Sequence, residues 1–442
     1  MARDLQICDV AVVGGGITGA AVLYVLSRYT NIANLVLFEK GSALAHVNSH
    51  ARMNSQTLHF GDIETNYSLE KAAKVKQQAS LLASFLERHA PEAYLLGHKM
   101  VLAVGKKEVA ELESRFGHFK KTFPSLRKLS REDIAVIEPK IVEGRDFAEP
   151  ILALFNEKGF AVDYEKAAAA LVRESLSSGK EIKVELSAKV EDILRTKDGF
   201  KLKLKGGRDF RARFVVVAAG AHSLILAKRM GYGKNLGILP VAGSFYTAAG
   251  LLGGKVYTMQ NPKLPFAAVH GDPDINDPNE TRFGPTAKVL PLLERHNWRT
   301  FADFLQTSLY TLKGVRSLVG VLSDKTIFLF AMQNLLYDVP FLGKWFFIKK
   351  VRKIVPTIRW QDLEYGWGLG GIRPQVIDSE KGEMTMGEAK ITEKGIIFDI
   401  TPSPGASVCL ANAERDAEIL SAMSKGYVFD KDLFRKDHPF FY

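Results

Sequence analysis

Cysteine is scarce in this sequence, and its scarcity removes several classes of protein. The 442 residues include only Cys8 and Cys409, and neither belongs to a CxxC pair. Two isolated cysteines do not make the framework of a disulfide-rich secreted domain or a thiolate metal site. The sequence also has no HExxH motif and no clustered set of carboxylates. We therefore expect a protein of a reducing compartment that holds no metal ion.

Long hydrophobic runs are missing as well. The first apolar run, Ile7 to Val13, is too short for a secretory signal peptide and leads directly into glycines. Residues 235–254 carry no charge, but they include Pro240 and five glycines. This composition indicates buried strands joined by turns, and it does not favour a membrane span.

Acidic residues are fewer than basic ones, and the net charge is +11. A basic protein favours nucleic acid, an anionic membrane or anionic small molecules as partners. The basic residues are scattered, except in residues 341–360, where six of them stand among aromatic residues without any acid. No base-stacking motif accompanies them, so we expect no nucleic acid as a partner. Residues 341–360 predict either contact with a membrane surface or a solvated basic helix packed on the protein.

Glycine is concentrated near the N-terminus in a pattern that predicts a dinucleotide site. An apolar strand over residues 7–13 leads into Gly14, Gly16 and Gly19, spaced as GxGxxG; a helix and a second strand that ends at Glu39 follow. Gly14 permits a tight turn, Gly16 lets the backbone approach a pyrophosphate, and Gly19 lets the helix pack against the sheet. The helix N-terminus attracts the phosphates, and Glu39 is spaced to bind ribose hydroxyls. The motif itself fits both FAD and NAD.

Two later segments favour FAD. Residues 214–220 form an apolar strand that ends in Ala219 and Gly220, as expected of a strand that returns to the nucleotide sheet after an insertion. Such an insertion disfavours a simple NAD dehydrogenase. Residues 401–407, Thr-Pro-Ser-Pro-Gly-Ala-Ser, precede a long helical pattern. The N-terminus of that helix either binds the flavin's pyrimidine oxygens or is an ordinary capped end.

Several further motifs resemble one family. The chain resembles the FAD-dependent oxidoreductases of D-amino-acid oxidase type, and within them the malate:quinone oxidoreductases in the shorter form of Helicobacter-like bacteria. The segments that carry the resemblance are residues 54–59 with 63–67, 239–246, 262–272, 284–286, 373–375 and 401–406. The L-2-hydroxyglutarate dehydrogenases are similar in layout.

The resemblance implies an architecture and a set of cofactor contacts. The expected fold is α/β, with a doubly wound Rossmann-type FAD-binding domain and an inserted antiparallel-sheet substrate domain. The expected FAD-binding domain comprises residues 1–45, 160–235 and 370–442, and the expected substrate domain, with membrane-proximal helices, comprises residues 46–159 and 236–369. Besides Gly14, Gly16, Gly19, Glu39, Ala219 and Gly220, the expected FAD contacts are Asn54, Ser55, Gln56, Val190, Gly371, Ser403, Gly405 and Ala406.

Oxidation of a 2-hydroxy acid requires a base and a cation for the carboxylate. Histidine suits the base role, and His59 and His270 stand in the resembling segments. His270 ends an apolar run and precedes Asp272, which could orient it if the strand continues; otherwise His270 only closes a strand end. The resemblance places Arg373 at a substrate carboxylate, although an ordinary salt bridge would also explain it. Arg282 and Arg52 are candidates for a second cation.

The resemblance implies that the protein oxidises L-malate to oxaloacetate, with FAD as cofactor and a membrane quinone as acceptor. It also implies a peripheral location on the cytoplasmic face of the cell membrane. The alternatives are an L-2-hydroxyglutarate dehydrogenase, another 2-hydroxy acid or amino-acid oxidase, and a flavin-binding protein without turnover.

Overall fold

The residues that the structure describes form three β-sheets with helices around them. The computed structural model describes residues 7–260, 268–309, 312–339, 341–381, 383–385, 389–400 and 404–439. The strands are β1 (Ile7–Val13), β2 (Asn34–Phe38), β3 (Tyr94–Val104), β4 (Arg127–Leu129), β5 (Ile151–Val162), β6 (Glu181–Glu185), β7 (Val190–Thr196), β8 (Gly199–Leu204), β9 (Asp209–Val217), β10 (Leu236–Ala242), β11 (Tyr246–Ala249), β12 (Lys255–Thr258), β13 (His270–Pro273), β14 (Glu280–Gly284), β15 (Lys288–Val289), β16 (Glu364–Tyr365), β17 (Ile372–Asp378), β18 (Glu383–Thr385), β19 (Ala389–Glu393) and β20 (Ile396–Ile400).

The helices lie on both faces of the first sheet and outside the other two. They are α1 (Ile17–Tyr29), α2 (Leu69–His89), α3 (Lys106–Phe119), α4 (Arg131–Ile137), α5 (Pro139–Val142), α6 (Tyr164–Leu176), α7 (His222–Arg229), α8 (Thr300–Ser308), α9 (Leu312–Ser323), α10 (Lys325–Leu336), α11 (Leu342–Val351), α12 (Cys409–Met423) and α13 (Lys431–Asp437). Within the described part of the chain, no helix is long and apolar enough to cross a membrane.

The first sheet is a parallel sheet built around β1. Strand β1 lies between β2 and β9, with Val10 opposite both Leu35 and Phe214. Strands β6 and β20 extend it on either side in the order β6-β2-β1-β9-β20, and β7, β8 and β19 join as antiparallel strands. Val10 and Val12 pack in the core formed with α1, α6 and α12, whereas Ala11 and Val13 pack on the opposite face. The uninterrupted apolar sequence of β1 is therefore explained by burial on both faces, and the predicted α/β fold class is confirmed.

The second sheet has the order β16-β11-β14-β13-β12-β3-β5-β4. Its pairs are antiparallel apart from β3 and β12, which run parallel with Val101 opposite Tyr257. The prediction of an antiparallel sheet misses this pair. A long stretch of chain that includes four of the eight strands of the first sheet separates the two strands, so no hairpin fixes their relative direction.

The third sheet is smaller and antiparallel, in the order β15-β10-β17-β18. Strands β10 and β17 pair along their lengths, and Val241 stands opposite Arg373. The division of the chain into two domains at the boundaries given above stays a prediction. The strands themselves show that the chain leaves the first sheet after β2 and again after β9.

Candidate active site

The first of two adjoining cavities lies at the carboxyl end of β1. Gly14 has a φ of +111°, and a Cβ on it would overlap the carbonyl oxygen of Ala218. A Cβ on Gly19 would overlap the carbonyl oxygen of Gly14, because α1 packs directly on the turn. Gly16 lines the cavity and begins α1 as a cap residue without a side chain. The sequence thus places glycine wherever a side chain would block the turn or the cavity.

The walls of this dinucleotide cavity bear polar groups suited to a nucleotide. The N-terminal end of α1 opens on it, with no acidic residue in the first turn to compete for a phosphate. Glu39 accepts hydrogen bonds from the backbone N–H groups of Gly15 and Gly41, each 2.7 Å long. These bonds hold the carboxylate at the cavity wall, where ribose hydroxyls can reach it.

The predicted cofactor residues divide between the two cavities. Those that line the dinucleotide cavity are Gly14, Gly16, Glu39, Asn54, Val190, Ala219, Gly220 and Ala406. Those that line the second, substrate cavity are Asn54, Ser55, Gly371, Gly405 and Ala406. Asn54 and Ala406 belong to both, so the cavities meet at these residues.

Three predicted cofactor residues, Gly19, Gln56 and Ser403, remain outside this set, and Gly19 serves to pack α1 on the turn. Gln56 lines neither cavity; its buried carboxamide donates to Asp274 Oδ2 over 2.9 Å and accepts from the backbone N–H of Ile275. This placement favours a role in fixing the loop and not a contact with a cofactor by its side chain. Ser403 lies outside the described residues.

His59 lies in the substrate cavity and forms a close pair with Glu64. The His59 Nδ1 to Glu64 Oε1 distance is 2.7 Å, and the Glu64 carboxylate is buried. Burial alone would raise the pKa of Glu64, but the hydrogen bond and charge of His59, with the charge of Lys99, hold it below its ordinary value. An ionised Glu64 accepts a hydrogen bond from the Nδ1–H group of His59. This tautomer leaves Nε2 of His59 able to accept a proton.

His270 lines the same cavity in a different environment. Strand β13 continues past it, so His270 and Asp272 share a face, with Nε2 3.3 Å from Asp272 Oδ1. The two atoms are not aligned for a hydrogen bond, and Lys255 already holds Asp272 Oδ2 at 2.8 Å. The imidazole is 1% exposed and stacks on Tyr257, with 4.4 Å between ring centroids. Burial lowers the pKa of His270 to about 3, so this ring is neutral and accepts protons weakly near neutral pH.

Arg373 projects from β17 into the substrate cavity. Its Nη2 donates to the carbonyl oxygen of Thr286 over 3.2 Å, and no carboxylate of the described residues forms an ion pair with it. Burial lowers the pKa of Arg373 to about 10, which leaves the guanidinium charged at neutral pH. A half-buried cation without an anionic partner among the described residues is a binding group for an anionic ligand, and its fork suits a carboxylate.

The two candidates for a second cation are placed elsewhere. Arg282 is fully buried, pairs with Asp274 Oδ2 at 3.0 Å and donates to the carbonyl oxygen of Asn54. Arg52 donates to the carbonyl oxygen of Trp367. Neither lines the substrate cavity.

Comparison with known proteins identifies the family. The family model DAO, described as FAD dependent oxidoreductase, matches residues 9–400. The chain belongs to this family of FAD-dependent oxidoreductases. Its cofactor is FAD, as predicted from the resemblance.

Curated members of the family are similar over nearly the whole chain. A probable malate:quinone oxidoreductase of Campylobacter jejuni subsp. jejuni is 44% identical, with 97% of this chain and 98% of that protein covered. A malate:quinone oxidoreductase of Helicobacter pylori is 39% identical over 97% of each chain. The mitochondrial L-2-hydroxyglutarate dehydrogenase of Homo sapiens is 24% identical over 91% of this chain and 86% of that protein. The predicted resemblance is confirmed, and the malate:quinone oxidoreductases are nearer than the hydroxyglutarate enzymes.

Solved structures support the same fold. The FAD-bound L-alpha-glycerophosphate oxidase of Mycoplasma pneumoniae matches with a TM-score of 0.66 at 17% identity, covering 94% of this chain and 95% of that one. The glycine oxidase of Geobacillus kaustophilus matches with a TM-score of 0.64 at 20% identity, covering 96% and 97%.

The two cavities fit the two halves of FAD. The glycine turn and the α1 terminus would hold the pyrophosphate, and Glu39 and Val190 would border the adenosine. The flavin ring would lie where the cavities meet, near Ala406 and the residues that lead into α12. His59 and Arg373 line the substrate cavity, which shares Asn54 and Ala406 with the dinucleotide cavity.

Sequence reasoning did not single out Glu64 and Lys71, two charged residues of the substrate cavity. Glu64 stands in one of the resembling segments, but its pairing with His59 depends on a loop conformation that no local pattern predicts. Lys71 lines the cavity from the first turn of α2. A lysine in the first helical turn opposes the helix dipole, and this unfavourable position is the signal that could have drawn attention to it.

Proposed function

We propose that the protein oxidises L-malate to oxaloacetate with its FAD and passes the electrons to a quinone. The observation that carries the proposal is the substrate cavity, in which the His59–Glu64 pair and the unpaired Arg373 stand together where the cavity meets the dinucleotide site. The names of the full-length relatives support malate as the substrate and quinone as the acceptor.

Each of these side chains has a defined task in the proposed reaction. Arg373 binds the carboxylate next to the hydroxyl-bearing carbon. His59 Nε2 accepts the hydroxyl proton, and the negative charge of Glu64 stabilises the resulting imidazolium. When bound, FAD supplies the acceptor for the hydride that leaves C2. The neutral ring of His270, stacked on Tyr257, closes the cavity wall and keeps water out.

Anaerobic mixing with L-malate tests this proposal. The purified holoprotein should lose its flavin absorbance near about 450 nm on adding L-malate, and a soluble quinone should restore it. Failure of L-malate to bleach the flavin would refute the substrate. Bleaching that oxygen reverses but quinone does not would refute the acceptor.

The same cuvette separates the alternatives. L-2-Hydroxyglutarate is the second substrate to try, because the human relative named for it also matches most of the chain. A higher rate constant of flavin reduction with L-2-hydroxyglutarate than with L-malate would identify the five-carbon acid as the substrate. Reduction by an amino acid and not by any hydroxy acid would identify an amino-acid oxidase instead.

We further propose that the protein lies as a peripheral protein on the cytoplasmic face of the cell membrane. Helices α10 and α11 present an exposed apolar surface, which we call the apolar patch: Phe328, Leu329, Met332, Leu335, Leu336, Phe341, Leu342, Trp345 and Phe346. Phe341 is 86% exposed and Trp345 is 62% exposed, whereas Phe347 is buried against Tyr246, so part of the predicted run belongs to the core. The Nζ of the exposed Lys349 lies 5.9 Å from the centroid of the Trp345 ring, and this lysine would attract anionic headgroups.

Vesicle flotation tests the membrane contact. The holoprotein should float with phosphatidylglycerol vesicles at low salt and much less with phosphatidylcholine vesicles. The double variant Leu342→Ser/Trp345→Ser should lose this binding and keep its rate of flavin reduction. Trp298→Ser, which changes an exposed tryptophan on another segment, is the matched control. Equal flotation of the double variant would exclude the patch as the contact.

A further inference from the structure

The substrate cavity contains a second cationic side chain, Lys71, in addition to Arg373. Lys71 stands in the first turn of α2, directly after the loop that carries His59 and Glu64, and it lines the same cavity. Among the described residues no carboxylate pairs with its Nζ, which lies 4.2 Å from the centroid of the Tyr67 ring. Among the described residues, the cavity therefore has two cations without an anionic partner, Arg373 and Lys71.

The position of Lys71 is unfavourable for the helix itself. Ser68 caps α2 by accepting from the backbone N–H of Lys71, which places Lys71 where a capping box would have glutamate or glutamine. A positive side chain here faces the positive end of the helix dipole. Burial adds to this by lowering the pKa of the ammonium. Helix stability thus gives no reason for a lysine at this position, whereas an anion in the cavity would.

Polar groups beside Lys71 complete a site for a carboxylate. Asn66 and Gln260 line the same cavity, and Asn66 directly precedes Tyr67, whose ring the Lys71 ammonium contacts. The backbone N–H of Asn66 donates to Gln260 Oε1 over 3.2 Å. The Oδ1 atom of Asn66 is buried without a hydrogen-bond partner. Rotation of this carboxamide by half a turn would present its NH2 group to a bound oxygen.

The other buried cations near the site already have partners. Lys255 pairs with Asp272, Lys99 pairs with Asp62, and Arg282 pairs with Asp274. Arg115 donates to backbone carbonyl oxygens of the loop at residues 64–67. Among the described residues that line the cavity, Arg373 and Lys71 are thus the cations left for a ligand.

We propose that Lys71, with Asn66, binds the second carboxylate of the substrate and thereby selects dicarboxylic over monocarboxylic 2-hydroxy acids. This inference rests on the proposed function and assigns the distal end of its substrate. Arg373 holds the carboxylate next to the reacting carbon, and Lys71 holds the other. A monocarboxylic acid such as L-lactate would leave Lys71 desolvated and unpaired, which disfavours its binding.

Flavin reduction by L-malate and L-lactate in Lys71→Met tests the inference. The variant removes the charge and keeps a linear side chain of similar length. Its second-order rate constant for flavin reduction by L-malate should fall about 10- to 100-fold, the loss expected for one charged hydrogen bond. Its value for L-lactate should stay at the wild-type level or rise, because the variant no longer leaves an unpaired ammonium beside bound lactate. Lys71→Arg should retain most of the malate preference.

Matched controls separate this effect from a structural one. Lys74→Met changes an exposed lysine on the same helix, outside the substrate cavity, and should behave as the wild type. An equal loss with malate and lactate in Lys71→Met, or no loss with either, would overturn the inference. If L-malate fails to bleach the wild-type flavin, the proposed function itself falls, and this outcome is distinct from the other two.

Ligand binding to the wild type tests the inference without any variant. Succinate carries two carboxylates, and succinamate replaces one of them by a neutral amide of similar shape. Titration followed by the change in flavin absorbance should show succinate binding at least about tenfold more tightly. Equal affinities would overturn the inference even if Lys71→Met did not fold.

Discussion

The two histidines of the substrate cavity each have a carboxylate as a neighbour, and the pairs differ in what else the carboxylate binds. Glu64 has His59 as its side-chain partner at 2.7 Å, whereas Asp272 gives its closer contact, at 2.8 Å, to Lys255. The negative charge of Glu64 is therefore available to stabilise a protonated His59. The charge of Asp272 is offset by a lysine, and His270 is left neutral.

Burial sharpens the difference between the two pairs. The side chain of His59 is 14% exposed and that of His270 is 1% exposed. A fully buried imidazolium without a free counter-charge is costly, which is why the pKa of His270 falls to about 3. An acid two residues away on the same strand therefore does not by itself make a histidine a base, and here the closer contact of Asp272 is with Lys255.

The largest effect on flavin reduction should come from replacing one of the two histidines, each in a separate variant. His59→Asn should lower the rate constant of flavin reduction by L-malate about 100- to 10,000-fold, the usual contribution of a general base. His270→Asn should lower it about tenfold or less, since the neutral ring does not carry the proton. Stopped-flow absorbance of both holoproteins measures this. A larger loss in His270→Asn would reverse the assignment.

Removing the guanidinium fork should have the next largest effect. Arg373→Lys keeps the charge but loses the bidentate contact, so the malate dissociation constant should rise about tenfold to 100-fold with a smaller change in the limiting rate. Arg52→Lys alters an arginine outside the cavity and serves as the control. Unchanged malate affinity in Arg373→Lys would remove this residue from the site.

Neutralising the two carboxylates compares the pairs directly. Glu64→Gln should slow flavin reduction about 10- to 100-fold, because the amide no longer stabilises charge on His59. Asp272→Asn should change this rate less and lower the melting temperature more, because Lys255 loses its buried counter-charge. Equal effects on rate would show that the two carboxylates do not differ in function.

The smallest expected effect is on stability at mildly acidic pH. The pKa of His270 is about 3 in the folded protein and has its ordinary value near 6.5 in the unfolded chain. Between these two values the unfolded chain binds a proton at His270 that the folded protein does not. The free energy of unfolding is therefore unaffected by His270 above about pH 6.5 and falls by about 1.4 kcal/mol for each pH unit from there towards pH 3.

Replacing this histidine isolates its contribution. His270→Gln should show a melting temperature that falls less between pH 7.5 and 5.5 than that of the wild type. His59→Gln provides the comparison, since it changes the more exposed histidine of the same cavity. The same pH dependence in His270→Gln and the wild type would contradict the burial argument.

How far the sequence predicts this molecule depends on the range of the interactions. The turn at Gly14 and Gly19 is local: its glycines, strand and helix are adjacent in the chain, and they predict the dinucleotide site. Arg373 followed from the family resemblance, and the structure adds that no described carboxylate neutralises it. In both cases the residues of a short segment were enough to predict the feature.

The rest depends on contacts between distant segments. The pairing of Arg282 with Asp274 and Asn54 removes it from the site, and only the folded chain shows this. Lys71 reaches the cavity because α2 begins there, and the parallel pairing of β3 with β12 spans about half the first sheet's strands along the chain. No local spacing encodes such placements.

The central claim is that L-malate delivers hydride from C2 to the flavin while His59 takes its hydroxyl proton. Anaerobic stopped-flow reduction of the wild-type holoprotein by L-malate and by L-malate deuterated at C2 tests it most directly. The account predicts complete flavin reduction by both compounds, measurably slower with the deuterated one. No reduction by L-malate, with reduction by another 2-hydroxy acid or an amino acid, would contradict it.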